Sequence, residues 1–317
     1  MGKQIADAPR GGGSWTLAGD LMYLISLMES QPPQVAVLMT SRDRRASTLA
    51  ALDALAAQTG LPAGTRVRVH LVDAGSCDGT AEAVRRAHPG VQVAEVGPDV
   101  YWSHGMRLAS RNSRAAGLPD PTHQLWLGDA VRLRAGALAE LLATARRFDD
   151  AAIVVGALSR AGLTVRSGRT APPALALVEP TGTPERCATY DGDVVLVPWA
   201  VRERVGDIDK VFRHGMGDHD HGLRARRAGV AAYVAPRAVG EWAGAGSGVP
   251  GSSEPGIGVR EALRRVASEA ERPVWPWAVY CVRHAGVRAP GLIVAPYVLT
   301  ALRAGRTRGR GHRGASS

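Results

Sequence analysis

From residue 34 to residue 147 the chain alternates short apolar runs with stretches of helical spacing, and this rhythm restricts the fold more than any other feature. Val35 to Met39 is an apolar run that opens after Pro32-Pro33 and closes into the polar loop Thr40-Ser41-Arg42-Asp43. Leu49, Leu52, Leu55 and Ala56 then recur at helical spacing. Val67, Val69 and Leu71 alternate as a second strand, which ends at Val72-Asp73 before the turn-rich segment Ala74 to Thr80. A helix over Ala81 to Ala87, a strand over Val91 to Val96, a helix over Arg107 to Ala116, a strand over Leu125 to Leu127 and a helix over Ala135 to Arg147 complete the pattern. Such β-α-β-α alternation predicts an α/β fold with a mostly parallel, doubly wound sheet that binds ligands beyond the carboxyl ends of its strands. Asp73 and Asp129 both fall at such ends.

After Ala152 the rhythm changes. Ile153 to Val155 reads as a strand, Ser159 to Pro184 as a Gly/Pro-rich excursion, and Asp193 to Val197 as a buried strand leading into Trp199 to Val205. A helix follows Asp218; it carries acids first, Arg224, Arg226 and Arg227 last, and stops at Gly229, as the helix dipole and the glycine C-cap favour. A helix is also expected near Val259 to Ala270 after the loop Ala243 to Gly258. The apolar stretches Val274 to Val282 and Leu292 to Leu302 are both short of the roughly 18 residues that span a bilayer. With Trp275, Trp277 and Tyr280 they form either an interfacial surface or a helix pair packed on the body.

With 317 residues, 45% of them hydrophobic, the chain can bury a substantial core as one domain with elaborations. Cys77, Cys187 and Cys281 are too widely spaced for a metal clip or a disulfide framework, so reduced thiols in a cytoplasmic protein are expected. The short run Leu21 to Met28 has no cleavage site behind it, which argues against a secretion signal. Of the net charge of +10, Arg303, Arg306, Arg308, Arg310 and Arg313 supply half. Gly and Ser rather than aromatics interleave them, and no nucleic-acid signature precedes them; a solvated or membrane-surface tail is expected, not a nucleic-acid arm.

Four places can carry chemistry. Asp73, at a strand end before a tight turn, can accept hydrogen bonds from a nucleobase or ribose, whereas Asp78 reads as the cap of the next helix. Gly105, read as opening a helix, would let backbone N–H groups approach a diphosphate. Asp129 can ligate a divalent cation. His214 to His221 holds five ionisable groups in eight residues, and Asp218 at a helix start can serve as a general base or simply as a cap. Two other patterns there are weaker: His214 to Asp218 matches an acyltransferase HxxxD spacing, and His219-Asp220-His221 imitates a metal cluster although adjacent helical side chains diverge.

Taken in order, these segments resemble the inverting family 2 glycosyltransferases, from about Val35 to Glu241. Val37 to Arg42 is similar to that family's first strand and nucleotide loop, and Leu71 to Thr80 to its VVDNGSTDGT. Tyr101 to Met106 resembles a segment reading GGM in a rhamnosyltransferase-like bacterial subfamily, Leu125 to Ala130 stands in place of WLNDD, and Gly217 to Gly229 resembles GDxDYGLRARRAG. The resemblance implies a GT-A fold (Rossmann-like, with a mostly parallel central sheet flanked by helices) and a C-terminal helical extension. It implies a donor site at Thr40, Ser41, Arg42, Asp73, Gly105, Met106 and Asp129, with Asp218 as the base that deprotonates an acceptor hydroxyl.

The implied reaction is sugar transfer, with inversion, from a nucleoside-diphosphate sugar to a glycan, lipid-linked or small-molecule acceptor in the cytoplasm or at the inner face of the membrane. The implied layout is a leader over 1–33, a GT-A domain over 34–245 (nucleotide half 34–130, acceptor half 131–245), a helical extension over 246–302 and a disordered basic tail over 303–317. Two departures bear on the Mg2+ or Mn2+ that such enzymes use. Ala130 stands where the second carboxylate of the metal motif is usual, and Gly240-Glu241-Trp242 where relatives place a histidine. Either Glu241 joins Asp129 as a ligand or no metal is needed; a non-catalytic sugar-nucleotide-binding protein is the alternative of a different class.

Overall fold

A computed structural model of the chain describes residues 32–115, 120–244, 251–254 and 256–311. The leader up to residue 31, Leu21 to Met28 within it, residues 245–250 of the long loop, and Arg313 lie outside the described residues.

The nucleotide half follows the alternation of its sequence: β1 (Gln34–Ser41), α1 (Arg45–Ala56), β2 (Arg66–Asp73), α2 (Thr80–Ala87), β3 (Gln92–Glu95), α3 (Trp102–Asn112) and β4 (His123–Leu127). β1 is buried from Val35 to Met39 because it is a central strand covered on both faces. Period-two alternation divides its side chains. Val35, Val37 and Met39 pack with Leu52 and Leu55 of α1, whereas Ala36 and Leu38 pack with Met106 and Ala109 of α3.

The remaining elements are β5 (Val131–Leu133), α4 (Ala137–Arg146), β6 (Ile153–Val155), β7 (Leu158–Arg160), β8 (Leu163–Arg166), β9 (Gly168–Arg169), β10 (Glu185–Cys187), β11 (Thr189–Tyr190), β12 (Val194–Pro198), α5 (Trp199–Val205), α6 (Gly217–Arg227), β13 (Ala232–Val234), β14 (Gly240–Trp242), α7 (Val259–Val266), α8 (Val274–His284) and α9 (Ala289–Gly311). The main sheet has the order β10-β13-β6-β12-β4-β1-β2-β3. β3, β2, β1 and β4 run parallel, and β12 lies antiparallel to β4 with Val194 beside Leu127. A second sheet, β5-β14-β7-β8, closes over one end.

The structure departs from the sequence reading in four places. α3 starts at Trp102, five residues before the expected Arg107, because Ser103, Gly105 and Met106 form its buried first turn, a face that the polar Ser103 and the glycine conceal in the sequence. The Ser159 to Pro184 excursion contains the hairpin β7-β8, turned at Ala161-Gly162 with φ of +49° and +79°, the left-handed pair of a tight hairpin. α7 ends at Val266 instead of running to Ala270. Residues 303–311, expected in a disordered tail, continue α9, whose apolar run propagates past its own end.

Gly240 pins the second sheet: a Cβ there would lie 2.3 Å from the Arg132 carbonyl oxygen of the paired strand. Backbone cannot yield as a side chain does. Gly240→Ala is therefore expected to destabilise the fold by about 1–3 kcal/mol, read from a denaturant midpoint.

Candidate active site

The registers of three strands set one floor. Ser41 pairs with Asp73 and Leu38 with Trp126, so Thr40 to Arg42 at the end of β1, Asp73 and Ala74 at the end of β2, and Asp129 just past β4 emerge at the same level. Above them opens a cleft of about 500 Å³ whose walls include Thr40, Ser41, Arg42, Arg44, Asp129 and Ala130. Tyr101 and Trp102 from the start of α3, Arg166 from β8, Asp193 from the start of β12, His214 and Trp242 line the rest.

Several expected residues take part, with differing surroundings. The Thr40 hydroxyl is buried without a hydrogen-bond partner, while Ser41 Oγ meets Thr48 Oγ1 at 2.7 Å. Arg42 Nη1 donates to Pro98 O at 2.9 Å. Asp73 is 2% exposed; its Oδ1 accepts the Ser76 N–H at 2.8 Å and its Oδ2 is a buried acceptor with no partner in the protein. Such an orphan is costly unless a ligand donor reaches it. Asp78 does not sit at the cap position, which Gly79 takes in a left-handed conformation; its carboxylate instead accepts the N–H groups of Thr80 and Arg45, tying α2 to α1.

Gly105 and Met106 are placed differently from the sequence reading. Because α3 begins at Trp102, the Gly105 N–H is spent on Tyr101 O at 2.9 Å and the His104 N–H on Arg213 O at 3.1 Å. Gly105 is small for another reason: a Cβ would fall 2.4 Å from Thr40 Oγ1. Met106 is 2% exposed in the core beneath the cleft.

The acidic wall contains a residue that motif reading did not select. β12 runs against β4, so Asp193 at its start lands beside Gly128, whose N–H donates to Asp193 O at 2.8 Å. Gly128 leaves room for it: a Cβ would sit 3.1 Å from Asp193 Oδ1. The acid before Val194 to Val197 was the available signal, but a strand's direction is not written in its own residues. Burial pushes the Asp193 carboxyl up to about 7, against Arg166 Nε at 3.3 Å, and the carboxylates of Asp191, Asp218 and Asp129 add to the rise. Burial also raises Asp129, opposed by Arg44, whose Nη1 lies 3.8 Å from Asp129 Oδ1. The guanidinium groups of Arg160 and Arg166 lie 4.4 and 4.5 Å from the centre of the Trp242 ring, a cation–π arrangement that holds Arg166 at the cleft.

Asp218 lies in the first turn of α6, which begins after Met216 at a left-handed φ of +68°. A non-glycine residue in that conformation is held by its surroundings. Gly217 supplies them by close packing, since a Cβ there would meet Ser103 Oγ at 2.6 Å and Ile208 Cγ2 at 2.7 Å. The Asp218 carboxylate accepts the N–H of Gly192 at 2.9 Å and of His219 at 2.8 Å. A Cβ on Gly192 would touch both the Trp102 ring and Asp218 Cβ, so Gly192 fills the gap between Asp218 and the cleft-lining Trp102; Asp218 itself lies behind that wall and is not among the described residues that line the cleft.

The other ionisable groups of this segment diverge, as adjacent helical positions must. His219 approaches Asp191 at 3.5 Å, where Arg169 also donates twice; burial would lower the imidazole's pKa, but Asp218 and Asp191 raise it. Asp220 is bound by Arg224 and His284, and His221 bridges Tyr190 Oη and Gly206 O, burial bringing its pKa down to about 4. No hydrogen bond joins His214 to Asp218 among the described residues, so the HxxxD pairing does not form.

A divalent cation does not fit the residues present. Ala130 is buried beside Asp129 and brings no carboxylate, and Arg44 and Arg166 already face Asp129 and Asp193. Glu241 is exposed and precedes the cleft-lining Trp242 on β14, so alternation turns it to the other face. Among the described residues no group of three His, Cys, Asp or Glu side chains suits a metal.

No family model and no curated protein matches the sequence. Solved structures do match. The mannosyltransferase PcManGT from Pyrobaculum calidifontis, in complex with GDP-Man and Mn2+, aligns over 94% of this chain and 83% of its own with a TM-score of 0.52 and 16% identity. S. aureus TarS, residues 1–349, aligns over 85% and 79% with a TM-score of 0.51 and 14% identity. GalNAc-T7, with UDP, GalNAc and Mn2+, aligns over 66% of this chain with a TM-score of 0.54 and 11% identity, and the chain spans 43% of its length. At such identities the likeness is one of fold, and the fold is GT-A.

Proposed function

We propose that the protein is a glycosyltransferase that moves a sugar from a nucleoside-diphosphate sugar to an acceptor hydroxyl with inversion. What supports the reading is one cleft in which Thr40 to Arg42 and Asp129 meet Arg44, Arg166 and Trp102, with Asp218 packed behind Trp102 at Gly192. The complexes of the fold neighbours with GDP-Man and with UDP support the choice of donor. In this reading the unpartnered Asp73 Oδ2 accepts an N–H or O–H of the nucleoside, Asp129 orients a sugar hydroxyl, and Asp218 takes the proton of the acceptor as it attacks the anomeric carbon in line. Charge developing on the leaving diphosphate needs preorganised cations, and Arg42, Arg44 and Arg166 are the cations of the cleft. The motif resemblance supports family 2 and a rhamnosyltransferase-like product such as a bacterial polysaccharide, glycolipid or glycosylated metabolite.

Calorimetric titration of UDP-, GDP- and dTDP-sugars, paired with an assay of nucleoside diphosphate release, tests the proposal. Saturable binding with release is expected, unchanged between Mn2+ and EDTA; a strict metal requirement would overturn the arginine cradle. Ala130 also favours a second reading, a protein that binds the donor without using it, for which binding without release is the signature.

Asp193 gives the cleft a pH dependence. Its carboxyl is neutral below about 7 and anionic above, so an anionic donor meets added repulsion as pH rises through that value. Donor KM is expected to increase between pH 6 and 8, and Asp193→Asn to flatten the profile; an identical profile in the variant would remove Asp193 from the cause.

A further inference from the structure

The C-terminal helices leave an apolar face uncovered. On α9, Leu292, Val298, Leu299 and Leu302 are 42 to 54% exposed and fall within one arc of about 120° at helical spacing, whereas Thr300 and Ala304 face inward. On α8, Trp275 and Val282, seven residues apart and so on one side, are 71 and 65% exposed, while Tyr280 and Cys281 are buried. Isolated exposed leucines need no explanation, but a run of them on neighbouring helices does.

The C-terminal stretch that carries this face is basic. Residues 272–317 contain Arg272, Arg283, Arg288, Arg303, Arg306, Arg308, Arg310 and Arg313, and no Asp or Glu. Arg283 is paired with Asp209 and Asp220; the other seven, with no acid in the stretch, would repel a second copy of the same face but would attract an anionic surface. No described helix is long and apolar enough to cross a membrane, so helices of this kind would lie in the plane of the interface.

We propose that the outer face of α8 and α9 docks on an anionic lipid surface, with Trp275, Val282, Leu292 and Leu299 entering the headgroup region and the exposed Arg272, Arg288 and Arg303 meeting lipid phosphates. The face begins close to the cleft: Ala270 lines the cleft and α8 starts at Val274. Docking would thus bring the cleft beside the bilayer, a consequence that alone rests on the glycosyltransferase reading.

Co-sedimentation of the full chain with vesicles of phosphatidylcholine, or of phosphatidylcholine and phosphatidylglycerol at 7:3, tests the surface. Partitioning onto the anionic vesicles is expected to be at least about tenfold stronger and to weaken with salt. The double variant Trp275→Ser/Leu299→Ser is expected to lose about tenfold in partitioning with an unchanged thermal melt and unchanged nucleotide binding, because both side chains are exposed. Absence of binding to either vesicle, or a double variant that binds as wild type, would overturn the proposal. So would a concentration-dependent dimer that the double variant disperses, which would assign the face to a second copy.

Discussion

Asp218→Asn is expected to lower kcat by about 10²–10⁴-fold while leaving donor affinity within a few-fold of wild type. The amide cannot accept the hydroxyl proton, and its one oxygen can satisfy only one of the two N–H groups, of Gly192 and His219, that now hold the carboxylate. Some loss of stability therefore accompanies the change, on the order of 1–3 kcal/mol. Nucleotide titration separates the two effects: a folded variant that binds donor but does not turn it over identifies the base, and one that retains full kcat excludes Asp218 from that role.

Asp220→Ala is expected to be the most destabilising single substitution near the site, by about 3–5 kcal/mol. The carboxylate is 0% exposed and receives Arg224 Nε at 2.8 Å from its own helix, with His284 Nε2 at 2.8 Å and Arg283 Nη1 at 3.3 Å from α8. Its removal leaves these donors facing a cavity at the joint between α6 and the C-terminal helices. For a chain of this size the loss corresponds to roughly 6–15 °C in melting temperature. Burial opposes ionisation of Asp220, but the hydrogen bonds from His284 and Arg224 outweigh it and bring its pKa down to about 2, below the roughly 3.9 of an unfolded aspartate. Its contribution is thus fully present above about pH 4 and is lost as pH falls through about 2. An Asp220→Ala melting temperature within 2 °C of wild type would show that the network is not what joins α8 to α6.

Much of the nucleotide half was legible because each element carries its own signal. β1, β2 and β4 are apolar runs of strand length, and the acids and polar residues after them land at one level simply because parallel strands in register end together. What was illegible depended on contacts between distant segments. Asp193 faces Asp129 only because β12 runs antiparallel to β4, and Arg166 reaches the cleft only because the β7-β8 hairpin folds back beside β14. The early start of α3 was hidden by Ser103 and Gly105, whose smallness serves the packing of that turn on Thr40 and on the loop ahead of α6. In the His214 to His221 segment the density of ionisable groups marked the right place but not their division of labour. Asp220 and His221 are structural, His214 lines the cleft, and Asp218 packs behind its Trp102 wall at Gly192.

In the proposed reaction this cleft activates a nucleotide sugar for displacement at its anomeric carbon. An NMR time course with the best-binding α-linked nucleotide sugar, in the presence of EDTA, tests it most directly. Release of nucleoside diphosphate with a β-configured sugar as the first product is expected; no release from a donor that binds, or an α-configured first product, would exclude displacement with inversion.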